Sequence, residues 1–346
     1  MKFDFVIGNP PYNEDFSNSG DNGNFAKPVY NYFMDAAYEV ADKVELIHPA
    51  RFLFNAGSTP KAWNEKMLND EHFTVLHCEI DGGKIFPNTD IKGGVAITYR
   101  DAEKDYGAIE IFSTFEELNT ILKKVKPTID IPFSSIISGR GVYKLSDAAL
   151  EEHPEIIELQ SKGHSKDVGS GAFKILKDIV FFEEKPYNDE EYVEFLGLVG
   201  NKRVYYWGIK RYQSTPDSFY HYKVFIPKAN GSGALGEVLS TPLIGEPLIG
   251  ATESFLSIGS FETLFEAESC LKYVKSKFAR VMLGVLKVTQ DNTSAKWSYV
   301  PLQDFTPASD IDWSQSMANI DKQLYKKYNL SKEEIDFIER NVKEMK

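Results

Sequence analysis

The sequence predicts an α/β domain followed by a mixed α+β domain, and three observations predict it. Strand-like and helix-like segments alternate across roughly the first hundred residues, the pattern of a largely parallel sheet. Beyond residue 130 the pattern changes to short β-rich runs separated by Gly, Pro and Asn turns. The length of 346 residues, at 42% hydrophobic and 13% aromatic, suffices for two cores and excludes intrinsic disorder for the chain as a whole.

Lys2 to Ile7 is a short apolar, aromatic strand stopped by Gly8 and two prolines. Val29, Phe33, Ala36, Ala37 and Val40 recur at helical spacing, and Val44 to Ile47 is a second buried strand. A helix over Pro60 to Leu68 and a strand over Phe73 to Ile80 follow, and Gly93 to Tyr99 is a further strand, free to return antiparallel. Ile109 to Val125 supplies another strand and helix; Pro127, Pro132 and the pair Ser134-Ser135 then read as a linker, with a boundary near residue 130. In the second domain Val204 to Trp207, Tyr220 to Ile226 and Ser254 to Ile258 are strands, and Glu262 to Leu286 has apolar residues spaced for one long helix. Ser331 with Glu334 forms a capping box that opens a terminal helix running to about Lys343.

Lys plus Arg number 39 and Asp plus Glu 51, a net charge of −12. The sum hides a gradient: residues 1–200 hold 20 basic and 34 acidic side chains, residues 201–300 hold 12 and 8, and residues 301–346 hold 7 and 9. Only 201–300 is positive, and a local basic face matters more for phosphate binding than the overall charge. No apolar run reaches the roughly 20 residues that span a bilayer, and the start lacks the shape of a signal peptide, so the chain reads as cytoplasmic, with no membrane partner. Cys78 and Cys270 stand far apart with no neighbouring Cys or His pair, which supports neither a disulfide framework nor a metal site.

One segment carries chemistry. Phe5-Val6-Ile7-Gly8-Asn9-Pro10-Pro11-Tyr12 sets an amide, two prolines and an aromatic at the carboxyl end of a strand, where open α/β sheets hold ligands. An amine to be alkylated needs acceptors for both hydrogens, and the Asn9 side-chain oxygen and the Pro10 carbonyl supply them. Pro10 and Pro11 fix the backbone so that this carbonyl faces inward, and Tyr12 offers a ring for a base to stack on. A bare Pro-Pro-Tyr more often just ends a strand; the preceding Asp-Phe-Val-Ile-Gly-Asn shifts the balance to the functional reading.

These residues resemble the amino-methylating DNA methyltransferases of the adenine-specific group, whose hallmark is Asn-Pro-Pro-Tyr. Tyr30 to Ala41, Val44 to Leu53, and Lys84-Ile85-Phe86-Pro87 with Gly93 to Ile97 resemble the family's next segments. The later Phe255 to Gly259, Lys275 to Arg280 and Trp297 to Pro301 resemble recognition domains of type IIG restriction-modification enzymes. The resemblance implies a partial Rossmann-like methyltransferase sheet over 1–130, a DNA target recognition domain over 131–310 and a carboxyl-terminal helical segment over 311–346. It implies S-adenosylmethionine as methyl donor, double-stranded DNA as partner, and a target adenine flipped into a site of Asn9, Pro10, Pro11 and Tyr12, with Phe86 as a second stacking ring. Lys202, Arg203, Lys210, Arg211 and Lys223, interleaved with tyrosines and Trp207, suit phosphate and base-edge contacts, or else a strand-rich core with charged ends. Lys272, Lys275, Lys277 and Arg280 recur on the face of their helix away from its apolar stripe.

The departure is the glycine-rich turn that holds the methyl donor in such enzymes, for which only eight residues precede Asn9. Neither Gly82-Gly83 nor Gly93-Gly94 sits in a strand, turn and helix arrangement that replaces it. The chain is therefore expected to bind the donor poorly alone, with a second polypeptide carrying that lobe and perhaps a nuclease. The other reading is a non-catalytic, sequence-specific DNA-binding subunit or remnant.

Overall fold

The computed structural model describes residues 3–14, 27–55, 57–87, 91, 93–231, 234–287 and 290–345. The chain divides into two compact units, Met1–Asn119 and Thr120–Lys346.

The first unit is built from β1 (Phe3–Gly8), α1 (Tyr30–Val40), β2 (Ala41–Pro49), α2 (Lys61–Leu68), β3 (Phe73–Glu79), the single-turn α3 (Gly82–Ile85) and β4 (Val95–Asp101). The sheet order is β1-β2-β4-β3. β1 and β2, joined through α1, run parallel with Gly8 opposite Leu46, whereas β4 is antiparallel to both β2 and β3. β1, β2 and β3 thus run in one direction, as the alternation implied, and β4 makes the antiparallel return that its sequence left open. A parallel return needs a crossover long enough to span the sheet, and between β3 and β4 only α3 forms, so the chain doubles back.

On one sheet face Val44, Leu46, Phe73 and Ala96 pack with Met34, Phe52, Trp63 and Met67 of the surrounding helices and loops. Ile109 and Phe112 join this core from outside, but their segment is not the expected strand: Glu110 takes a positive φ of 53° and its N–H reaches the Leu68 carbonyl, turning the chain. α4 (Glu116–Val125) crosses the boundary between the units.

The second unit continues with β5 (Lys144–Leu145), α5 (Asp147–Glu152), α6 (Ile156–Leu159), α7 (Ala172–Ile175), β6 (Phe181–Phe182), β7 (Tyr192–Val199), β8 (Lys202–Ile209) and β9 (Gln213–Ser214). After them come β10 (Tyr222–Pro227), β11 (Leu243–Gly245), β12 (Ile249–Ala251), β13 (Phe255–Phe261), α8 (Leu264–Lys275), α9 (Lys277–Leu283), α10 (Met317–Lys327) and α11 (Lys332–Asn341). Its sheets are β12-β7-β8-β6, β11-β10-β13 and the pair β5-β9.

The long helix expected over 262–286 is two. Ser276 takes ψ 149°, its hydroxyl donates to the Tyr273 carbonyl (2.7 Å) and accepts the Ala279 N–H (3.1 Å), and the Asp321 carboxylate accepts the next N–H groups, from Lys277 and Phe278. The apolar spacing runs on through the break because both helices bury residues in the same unit, so period alone does not reveal it. The Ser331–Glu334 capping box forms as expected. Among the described residues no helix is long and apolar enough to cross a membrane.

Candidate functional site

Three segments leave the first sheet at one end. Gly8 lies opposite Leu46, Pro49 opposite Val95, and Val95 opposite Glu79. The stretches after β1, after β2 and between β3 and β4 therefore emerge together, at the carboxyl end of the only parallel pair in this sheet. Asn9 to Tyr12, Ala50 to Asn55 and Phe86 all belong to them.

Asn9 and Pro11 are exposed, and Pro10 and Tyr12 half-buried. The Tyr12 carbonyl accepts the Val29 N–H (3.0 Å), Asn13 bridges Pro28, and the Glu14 N–H reaches the Lys27 carbonyl (3.0 Å). The motif is thereby tied to the residues that open α1. The Tyr12 hydroxyl is buried with no hydrogen-bond partner among the described residues, and burial raises its pKa. A neutral phenol ring presents a flat apolar surface, as stacking requires.

An aromatic cluster joins the start of α1 to the end of β2. Tyr30 stacks on His48 at 5.7 Å and 7°, and Phe52 lies against both. His48 is fully buried; its Nδ1–H donates to the Pro49 carbonyl (3.1 Å) and its Nε2 accepts from the Thr98 hydroxyl (2.7 Å). Burial lowers its pKa to about 4, so it is neutral near pH 7 and serves as packing. Burial likewise pushes the Tyr30 phenol up to about 12, against the opposing charge of Arg51. Phe86 follows α3, half-buried, with its N–H bonded to the Gly82 carbonyl.

β1 is the outer strand of the sheet. Val6 faces the core, but Phe3, Phe5 and Ile7 point to the other face and are exposed, Ile7 by 72%. The Phe5 ring stacks on Tyr99, at 6.1 Å. Among the described residues nothing pairs with the free edge of β1.

The basic residues of the second unit fare differently from the expectation. Lys223, expected on a DNA face, is fully buried; its ammonium donates to the carbonyls of Phe219, His221 and Glu246, and burial lowers its pKa to about 8. Arg280 is also inside, donating to carbonyls that include that of Lys275. The Arg203 guanidinium is turned to the carbonyls of Ser240 and Thr241. Lys210 pairs with Glu191 (3.1 Å), and Arg211 with Glu152 and Glu190. Lys202 is exposed, as are Tyr205 and Tyr220.

Residues 1–86 match the family model described as the Eco57I restriction-modification methylase. The matched stretch holds β1, the Asn-Pro-Pro-Tyr segment, β2 and Phe86, so the resemblance read from the motif is shown for this part of the chain. A curated relative, an uncharacterized adenine-specific methylase of Mycoplasma pneumoniae, is 34% identical over 97 residues, 28% of this chain and 22% of that protein. The match thus takes in about a fifth of that relative's length. Two solved structures align at 10% identity and a TM-score of 0.32, too low to support a conclusion about fold. They are the type IIG restriction endonuclease BpuSI, over 87% of this chain and 44% of that one, and the type IIL restriction-modification enzyme MmeI in complex with DNA, over 98% and 56%.

The methylase segment also holds a residue that the sequence reading quoted without a role. Arg51, two residues after β2, stands at the same sheet end as Asn9; its signal in the sequence was only its place after a buried strand in Ile47-His48-Pro49-Ala50-Arg51.

Proposed function

We propose that the chain is the base-accepting half and target-recognition part of a DNA adenine methyltransferase of the restriction-modification kind. The observation that carries this is Asn9-Pro10-Pro11-Tyr12 at the carboxyl end of a parallel edge strand, inside the segment that matches the methylase family. The Asn9 Oδ1 and the Pro10 carbonyl accept the two hydrogens of the adenine amine and draw electron density onto its nitrogen. Tyr12 and Phe86 hold the flipped base by stacking, which offsets part of the few kcal/mol that unstacking costs.

S-adenosylmethionine is the donor that the family resemblance implies, and when bound it supplies the methyl group. The described residues do not fit it: Gly82 opens only the four-residue α3, where a Cβ would meet Ile91 at 2.9 Å, and Gly93 and Gly94 lie in the return to β4. We assign the donor to a lobe that pairs with the free edge of β1 and covers Phe3, Phe5 and Ile7, either on further polypeptide or on a second chain. DNA phosphates are met by Lys202 and, in competition with Glu191, Glu152 and Glu190, by Lys210 and Arg211. Arg203 and Lys223 are left out of that set because main-chain carbonyls already hold them.

The test is Asn9→Ala in the enzyme assembled with its donor lobe, read as methyl transfer to adenine in duplex DNA. Losing one preorganised contact to the reacting group lowers kcat by roughly 10²- to 10³-fold, with DNA affinity unchanged. Unaltered transfer overturns the assignment of Asn9. Calorimetric titration of this chain with S-adenosylmethionine is expected to show no binding at micromolar concentration, and binding overturns the assignment of the donor to another lobe.

A further inference from the structure

The chain has seven arginines, and six of them, Arg100, Arg140, Arg203, Arg211, Arg280 and Arg340, each donate to a carboxylate or a main-chain carbonyl. Arg51 is the seventh. Among the described residues no carboxylate and no carbonyl takes its guanidinium, although the first hundred residues hold more acidic than basic side chains. It is exposed. A guanidinium is never neutral at physiological pH, so one left open beside a ligand-bearing sheet end is a site for an anion.

The surrounding backbone is shaped around its stem. A Cβ on Gly93 would lie 2.4 Å from the Arg51 Cγ, and one on Gly57 would lie 3.2 Å from its Cβ; both glycines have positive φ, +87° and +93°. The two loops close on the aliphatic part of Arg51 only because neither carries a side chain there. The Ala50 N–H bonds to the Gly94 carbonyl (3.0 Å), fixing the loop before β4 against the turn that begins at Arg51. The stem is clamped and, among the described residues, nothing holds the head, an arrangement that lowers the entropy cost of gripping a ligand. Arg51 follows the end of β2 by two residues, and the neighbouring strand β1 ends opposite Leu46 and runs into Asn9. Adjacent strands lie about 5 Å apart, so the guanidinium and the Asn9 amide share one end of the sheet.

We propose that Arg51 grips a phosphate of the DNA backbone next to the flipped adenine, a bidentate contact that positions the nucleotide over Asn9 and Pro10. The proposal rests on the methyltransferase reading and adds an anchor to it. Arg51 acts as a positioning residue and takes no part in the chemistry of the amine.

The experiment is a salt titration of duplex binding by the whole chain, followed by fluorescence anisotropy between about 50 and 200 mM salt. Phosphate contacts dominate binding to any sequence, so the recognition site need not be known. Arg51→Gln keeps the stem and removes the charge; it is expected to reduce the slope of log K against log salt by about 1 and to weaken binding roughly 3- to 10-fold near 100 mM salt. Arg51→Lys restores the slope, since it restores the charge, but only part of the affinity, since it loses the fork. A merely structural Arg51 moves melting temperature and leaves the slope alone. An unchanged slope in Arg51→Gln, with wild-type chain binding normally, overturns the Arg51 assignment and leaves the methyltransferase reading standing. A wild-type chain that binds no duplex even at the lowest salt overturns the DNA reading, and the Arg51 anchor with it.

Discussion

His48 carries a pH dependence that its position dictates. Its pKa is about 4 in the folded chain because it is wholly buried, against about 6.5 when exposed in the unfolded chain. The unfolded state therefore takes up the proton first, and the stability held above about pH 6.5 is lost as pH falls towards 4. The difference is worth on the order of 3 kcal/mol. His48→Gln removes that titration, so the gap in unfolding free energy between wild type and variant is expected to narrow steadily over this range. Parallel curves would sink the assignment of His48 as a neutral packing residue. Lys223 makes the converse point about reading charge from sequence. Its ammonium is satisfied by three carbonyls inside the unit, so Lys223→Met is expected to leave the salt slope of DNA binding untouched, in contrast to Arg51→Gln.

At the level of elements, what could be read in advance was what is encoded locally. The Ser331–Glu334 box places its helix because both partners lie within one turn. The motif strand and α1 are likewise where their residue patterns put them. Missed was a feature set by a partner far along the chain: the break at Ser276, whose following N–H groups are capped by Asp321, over forty residues away. Ser276→Ala removes both the Ala279 cap and the Tyr273 contact of a fully buried hydroxyl, and is expected to lower stability by about 1 to 2 kcal/mol in urea unfolding. No loss would mean that Asp321 alone terminates the break. For β1 the expectation is the opposite. Ile7 is 72% exposed, so Ile7→Lys should change the chain's own stability by less than about 0.5 kcal/mol. The same change sets a charge on the face assigned to the donor lobe, so methyl transfer by the assembled enzyme should fall. If transfer persists unchanged, that face is not where the lobe sits.

For the molecule as a whole, the net charge of a sequence window proved a poor guide to a surface. Residues 201–300 are net positive, yet Arg211 is paired with Glu152 and Glu190 and Lys210 with Glu191, all from the acidic stretch before it. Folding brings opposite charges together across the linear boundary, and an average along the chain cannot register it. The cores, by contrast, do divide along the sequence. Trp63 sits in the core of the first unit, its indole N–H donating to Asp35 (3.0 Å), while Trp207, Trp297 and Trp313 belong to the second. The first unit leaves Phe3, Phe5 and Ile7 of its outer strand exposed, and so buries less apolar surface for the chain it orders. It should be the less stable of the two, and urea unfolding followed by tryptophan fluorescence should show two steps, the earlier one reported by Trp63. Trp63→Phe should silence the earlier step in fluorescence while circular dichroism still records it. Because a lobe bound to β1 stabilises only the folded form, adding it should raise the midpoint of the first step and leave the second in place. A single transition, coincident by both probes in wild type and variant, would mean that the two units fold as one and that the open face of β1 costs the molecule nothing.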